Sequence, residues 1–197
     1  ISNGLILMSE IQKNIIGRRT TYRFLEKEVE TEYLEIAFEA ARFAPSHKHT
    51  NPWKFYVMGP ESRNLLIPVV EQLSQKKCID ADIEITEDLI ERAKNKILKA
   101  PALVAVTSRL TPDDLFRQEE DYAASVCAIQ NLTLSLWSHG IGCQWSTGTI
   151  TRHQIIYDAL GISNGKERVI GLIKIGYPEK IPKPKKKEIS EIRYYLD

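Results

Sequence analysis

From about Glu119 to Ser138 the chain reads as one long helix, and its middle is apolar nearly all round: Ala123, Ala124, Val126, Cys127, Ile129, Leu132, Leu134 and Leu136. A helix with one apolar stripe can lie on a surface, but a helix that is apolar on most sides must be covered on most sides. A second segment carries the same demand. Ala102-Leu103-Val104-Ala105-Val106-Thr107 is a near-continuous apolar run after Pro101, as expected of a strand buried on both faces. Two such segments in 197 residues point to one domain built around a central helix and a covered sheet.

The remaining pattern supplies the outer layers. Ser9 is placed to cap a helix running to Ile16 and stopped by Gly17. A second helix opens at Thr31, shows apolar residues at three- and four-residue spacing, and ends at Ala44-Pro45. Residues 53–58 alternate as a strand does, and Gly59-Pro60 ends it. A helix over 61–77, a loop from Cys78 to Thr86 and an amphipathic helix over 87–99 follow. After the buried strand, residues 108–117 read as a loop leading to the long helix. Ile141 to Trp145 reads as a short strand, Thr151 as the cap of a helix to Leu160, and Arg168 to Gly176 as the clearest strand of all. Helices and strands in this order predict a layered sheet with helices on both sides. Glu179 to Lys187 is rich in Pro and Lys and cannot build a core of its own.

Several function classes lose support at once. The net charge of +1 does not suggest a nucleic-acid binder. No apolar run approaches the roughly 18 residues needed to span a membrane. The opening Ile1 to Met8 lacks the basic start and apolar core of a secretory signal, and Met8 is read as the natural start. Cys78, Cys127 and Cys143 are widely spaced, so zinc and dithiol chemistry are weak readings, and reduced thiols in the cytoplasm are expected. No GxGxxG follows a strand, and neither GxxxxGK[ST] nor GxSxG occurs. Glu119-Glu120-Asp121 reads as favourable charge at a helix N-terminus rather than as a catalytic pair.

Three short blocks carry possible chemistry. Arg18-Arg19-Thr20-Thr21-Tyr22-Arg23-Phe24 clusters cations and hydroxyls just past a helix end. Guanidinium forks suit phosphate oxygens, and equally they complement a helix C-terminus. Ala44 to Trp53 holds a polar turn in which His47, Lys48 and His49 could line the polar edge of a ring or simply be solvated, while Asn51-Pro52-Trp53 stiffens the lead into a strand. Trp145-Ser146-Thr147-Gly148 ends a strand, where backbone N–H groups can face a ligand and Gly permits close approach; an ordinary turn explains it too.

Taken in order, these blocks resemble the flavin-dependent nitroreductase family, and within it the compact YdjA-like subgroup. The family pattern of Arg-Arg-Ser, then Ala-Pro-Ser, then Gln-Pro-Trp reads here as Arg18-Arg19-Thr20, Ala44-Pro45-Ser46 and Asn51-Pro52-Trp53. The strand after Ala100-Pro101, the helix ending in Gly140-Ile141-Gly142 and the strand ending in Gly176-Tyr177-Pro178 extend the likeness over about residues 9–180. Tyr22, His49 and Asn51 depart from residues common at those places in the family.

The resemblance implies an α+β, three-layer α/β/α nitroreductase-like fold with a central mixed, mainly antiparallel sheet. It implies a single domain over 8–197, with 179–197 a tail wrapping the partner of a homodimer. FMN is expected at the subunit interface, with NAD(P)H as electron donor and a small oxidised acceptor such as a nitroaromatic or quinone. Arg18, Arg19 and Thr20 are then expected at the phosphate and ribityl chain, with a tail lysine, taken as Lys186, beside them. Phe43, His47 and Asn51 are expected to approach the flavin from across the interface, and Trp145, Ser146, Thr147 and Gly148 to line it. No side chain is assigned a catalytic role and no metal is expected, because the chemistry would belong to the cofactor. The alternatives are a flavin-binding module without NAD(P)H turnover, and a relative with flavin-destructase or dehalogenase chemistry.

Overall fold

A computed structural model describes residues 8–163 and 165–196. Residues 1–7, which carry the expectation about a leader, lie outside the described residues. The elements in chain order are α1 (Glu10–Gly17), α2 (Thr31–Arg42), β1 (Trp53–Val57), α3 (Pro60–Leu65), α4 (Ile67–Asp80), α5 (Glu87–Leu98), β2 (Ala102–Arg109), α6 (Leu115–Ser138), β3 (Gly142–Ser146), α7 (Gln154–Leu160) and β4 (Glu167–Gly176). Short 3-10 turns cover His47–His49, Thr149–Arg152 and Ile189–Glu191.

The sheet has the order β1-β2-β4-β3, with each neighbouring pair antiparallel. Among the described residues its one parallel pairing is an isolated bridge from Thr20 to Cys143 on the outer edge of β3. β2 and β4 are the inner strands. Leu103, Val104, Ala105 and Val106 on β2 are fully buried, as are Ile173 and Ile175 on β4.

Side chains alternate between two cores. Val104 and Val106 with Ile173 and Ile175 meet α2 and α6 on one face. Leu103 and Ala105 with Val169 and Leu172 meet Met58, Leu66, Ile97 and Ile156 on the other. α6 presents Ala128, Ile129, Leu132 and Leu136 to the first face, a stripe at helical spacing. The expectation of cover on most sides needs correction: within this chain the helix is buried along that stripe, while Val126, Cys127 and Leu134 are half-buried and Ala123 is exposed.

Four local expectations need correction. The helix expected over 61–77 is two, because Pro68 has no N–H to bond back to Asn64. α4 runs on to Asp80, through Cys78, whose buried side chain holds that turn against the protein. β2 extends to Arg109 and α6 begins at Leu115, so the loop expected over 108–117 is short; Asp114 caps α6 by accepting from Arg117 N–H at 2.9 Å. Thr151 does not cap α7. It is buried and donates to the Gly148 carbonyl at 2.9 Å, while His153 Nδ1 caps the helix by accepting from Ile155 N–H.

Glu167, at the start of β4, ties three strands together. Its carboxylate accepts from Lys54 Nζ of β1, from Tyr56 Oη at 3.0 Å and from Thr107 Oγ1 of β2 at 2.7 Å. Burial raises its pKa, but the bonds from Lys54, Thr107 and Tyr56 outweigh it, and the net shift is downward. A carboxyl with a depressed folded-state pKa stabilises where it is ionised in both states and loses that contribution as the pH falls through its folded value. Glu167→Gln is therefore expected to cost about 1–3 kcal/mol at neutral pH. In urea titrations the wild type should lose part of its advantage over this variant as the pH falls below the ordinary glutamate range.

Candidate functional site

The first block lies along the open edge of β3. Asn14 of α1 donates from Nδ2 to the Leu134 carbonyl of α6 at 3.0 Å, which sets the end of α1 against the central helix. The chain then turns at Arg18, and Thr21 N–H donates to the Cys143 carbonyl at 2.9 Å. This approach requires glycine at 142, since a Cβ there would stand 2.1 Å from Thr21 Oγ1. Arg19 donates to the Ile16 and Arg18 carbonyls, so it serves as the C-terminal complement of α1. Arg18 is different. Its Nε and Thr21 Oγ1 are, among the described residues, the buried side-chain polar atoms that lack a hydrogen-bond partner. A buried guanidinium donor without an acceptor is costly, and an anion beside it removes that cost.

Cys143 sits behind this block. Burial pushes its thiol up to about 12, against the opposing pull of the Arg18 charge, so at neutral pH it is a protonated packing group.

The strand then leads to Trp145. Its indole turns inward, over Gly171, and donates from Nε1 to the Ile170 carbonyl at 3.1 Å. The pairing of β2 with β4 slips beside Ile170, which leaves that carbonyl out of the ladder. The indole thus anchors the end of β3. Ser146 is half-buried beyond it, and Thr147 and Gly148 are exposed.

The second block sits at the opposite edge of the sheet, ahead of β1. Lys48, His49 and Asn51 have φ of 53°, 51° and 43°, three non-glycine residues in the left-handed region within four positions. Such strain persists only where the surroundings hold it, and here a network does so. Asp121 of α6, 1% exposed, accepts from Thr50 Oγ1 at 2.6 Å and from Arg109 at 2.7 and 3.1 Å. Glu120 faces His47 Nδ1 at 3.1 Å and Arg117 at 3.4 Å. Asn51 closes the turn, donating from Nδ2 to the His49 carbonyl at 3.0 Å and from its N–H to Ser46 Oγ. Phe43 is 71% exposed just before this turn.

The expected site residues therefore form two groups. Arg18, Arg19 and Thr20 stand beside the strand that ends in Trp145, Ser146, Thr147 and Gly148. Phe43, His47 and Asn51 form the second group. Three strand spacings separate the outer strands, about 14 Å, and α6 rises about 20 Å between its contacts to the two blocks, Asp121 and Leu134. The core lies between them. Lys186 is exposed in the tail. The tail leaves β4 beside the first block, where Glu179 N–H donates to the Arg23 carbonyl.

Asp121, Glu120, Arg109 and Thr50 were not anticipated as site residues. The readable signal was an acid on the buried stripe of α6: Asp121 precedes Ala124, Ser125, Ala128 and Ile129 at helical spacing. Asp121→Asn is expected to cost about 1.5–3 kcal/mol, since it removes charge-assisted bonds from a buried acceptor. Limited proteolysis should then cut within residues 46–51, where the wild type resists.

A family profile described as Nitroreductase family matches residues 15–177. "Putative NAD(P)H nitroreductase YfhC" of Bacillus subtilis (strain 168) is 31% identical over 180 residues, 91% of this chain and 90% of that protein. A solved nitroreductase-like family protein from Bacillus cereus superposes with a TM-score of 0.76 at 29% identity, covering 98% of this chain and all of the other. The FMN and NADPH-dependent nitroreductase NfnB from Sphigopyxis sp. strain HMH shares the fold, with a TM-score of 0.72 at 16% identity over 96% of this chain and 100% of that one. The profile match over most of the chain and the 31% identity to YfhC establish the family: the chain belongs to the nitroreductase family.

Proposed function

We propose that this protein is an FMN-dependent oxidoreductase that takes electrons from NAD(P)H and delivers them to an oxidised small molecule, of the nitroaromatic or quinone type. The observation that carries the reading is the buried Arg18 Nε without an acceptor, at an open strand edge beside a second arginine. That donor fits a phosphate. YfhC and NfnB carry NAD(P)H and NADPH in their names, and NfnB carries FMN.

When bound, FMN supplies the electron relay between the nicotinamide donor and the acceptor. The chain supplies position and charge. Arg18 and Arg19 hold the phosphate with Thr20 at the ribityl chain, and a tail lysine, Lys186 in this reading, adds a further cation. Backbone N–H groups of Ser146, Thr147 and Gly148 line the ring, and Trp145 positions that segment through its bond to Ile170.

Phe43, His47 and Asn51 cannot reach the same ring within one chain, because the core stands between the two groups. They complete the site from a second copy. Large apolar side chains exposed on the edges that such a dimer would use support this: Ile11 at 73%, Ile16 at 57% and Phe43 at 71%. Tyr194, Tyr195 and Leu196, at 79%, 83% and 93%, suit a tail laid over that copy.

The test is the visible absorption spectrum of the purified protein, before and after anaerobic addition of NAD(P)H. A yellow protein that bleaches supports the reading. A protein that stays colourless when FMN is supplied contradicts it. Arg18→Ala is expected to weaken FMN binding roughly 10–100-fold, as loss of a charge-assisted bond of about 1.5–3 kcal/mol implies, with the fold retained by circular dichroism.

A further inference from the structure

The face of the sheet away from α2 and α6 holds a cleft of about 920 Å³ between α4, α5, the 3-10 turn Thr149–Arg152 and β4. Its volume falls in the range of small-molecule sites. Val70, Leu73, Ile97 and Ile150 make the walls apolar. Its charge is one-sided. Lys76, Lys77, Lys96 and Lys174 line it, with Arg92, which pairs with Asp88 at 2.7 Å; the one carboxylate among the described lining residues is Asp80, which is exposed.

Lys174 sets this cleft apart from an ordinary groove. It lies on an inner strand and is 8% exposed. An ammonium has three donors, and among the described residues the one acceptor it reaches is Gln144 Oε1 at 3.3 Å. None of the ion pairs among the described residues includes it. Burial first, and the positive charge of Lys96 second, push its pKa below the ordinary lysine value. A buried cation that faces other cations and lacks a counter-ion is an expensive feature. Leu or Met at this position would fill the strand at no such cost. The cost is recovered when an anion enters the cleft and pairs with Nζ.

We propose that this cleft binds an organic acid with an apolar body, its carboxylate paired with Lys174 and its body lying against Val70, Leu73, Ile97 and Ile150. A bare anion would leave the apolar walls unused, and a neutral apolar ligand would leave the ammonium unpaired. Only an amphiphilic acid satisfies both. The site stands apart from the flavin reading, since it uses no residue of the arginine block; Gly148 alone belongs to both neighbourhoods.

The experiment is calorimetric titration of the full chain as purified, with decanoate against decanamide and 1-naphthoate against 1-naphthamide. At least one acid is expected to bind tenfold or more tighter than its amide, and Lys174→Met to abolish that preference while keeping the melting transition. Which body binds better tells a straight-chain from an aromatic ligand. Equal binding of acid and amide, absence of binding by all four, or a preference that survives in Lys174→Met overturns the proposal. The wild-type preference needs no variant, so the test holds even if Lys174→Met folds poorly. Flavin content measured on the same samples keeps a failure here separate from a failure of the flavin reading.

Discussion

The burial of α6 is the constraint on which the rest of the molecule depends. Its stripe from Asp121 to Leu136 can leave water only against a sheet, and β2 and β4 supply that sheet by being apolar on both faces. Once the helix is seated, its two ends become fixed points. Asp121 near one end takes hold of the strained turn at 48–51, and the Leu134 carbonyl near the other takes the side chain of Asn14 ahead of the arginines. One rigid helix thus sets the separation of the two polar blocks, and the sheet places them on opposite edges. On the proposed function, that separation is the reason the site would draw on a second copy.

The large features were legible in the sequence because they rest on long apolar patterns. The long helix, the doubly buried strand and the final strand need no partner information to be read, although α6 is buried along one stripe and not all round. Features set by contacts between distant residues were not legible in the same way. Thr50 and Asp121 are 71 positions apart, so nothing local to the 46–51 turn shows that it is pinned. The start of α6 was missed because Leu115 and Phe116 are exposed and break the inward pattern. Asp114 was a cap in plain view. At the other end of the site, glycines at 142 and 171 look like weak strand residues. Their reason is on the neighbouring chain segment, where Thr21 and the Trp145 indole occupy the space a Cβ would take.

The site was legible as chemistry but only partly as placement. Arginines, hydroxyls and a strand-end turn suit an anion and a ligand, and equally a helix end and an ordinary turn; the structure adds that Arg18, rather than Arg19, holds the unsatisfied buried donor. Trp145 was expected to line the flavin together with Ser146, Thr147 and Gly148. Its indole spends its one donor on the Ile170 carbonyl, beside the slipped pairing of β4. Lys174 had no signal at all, being one lysine in an apolar strand. Its meaning came from the burial around it.

The central claim is that a working site is assembled from two chains, and subunit mixing tests it most directly. Arg18→Ala lacks the first group, and a His47→Ala, Asn51→Ala double variant lacks the second. If each site draws one group from each chain, a hybrid dimer of these two variants carries both lesions in one site and none in the other. Unfolding and refolding the two together should then restore, in part of the sites, the tight flavin binding and the NAD(P)H oxidation that each variant alone has largely lost. If both groups act within one chain, every site in the mixture stays damaged, and an absence of recovery in confirmed hybrid dimers would contradict the account.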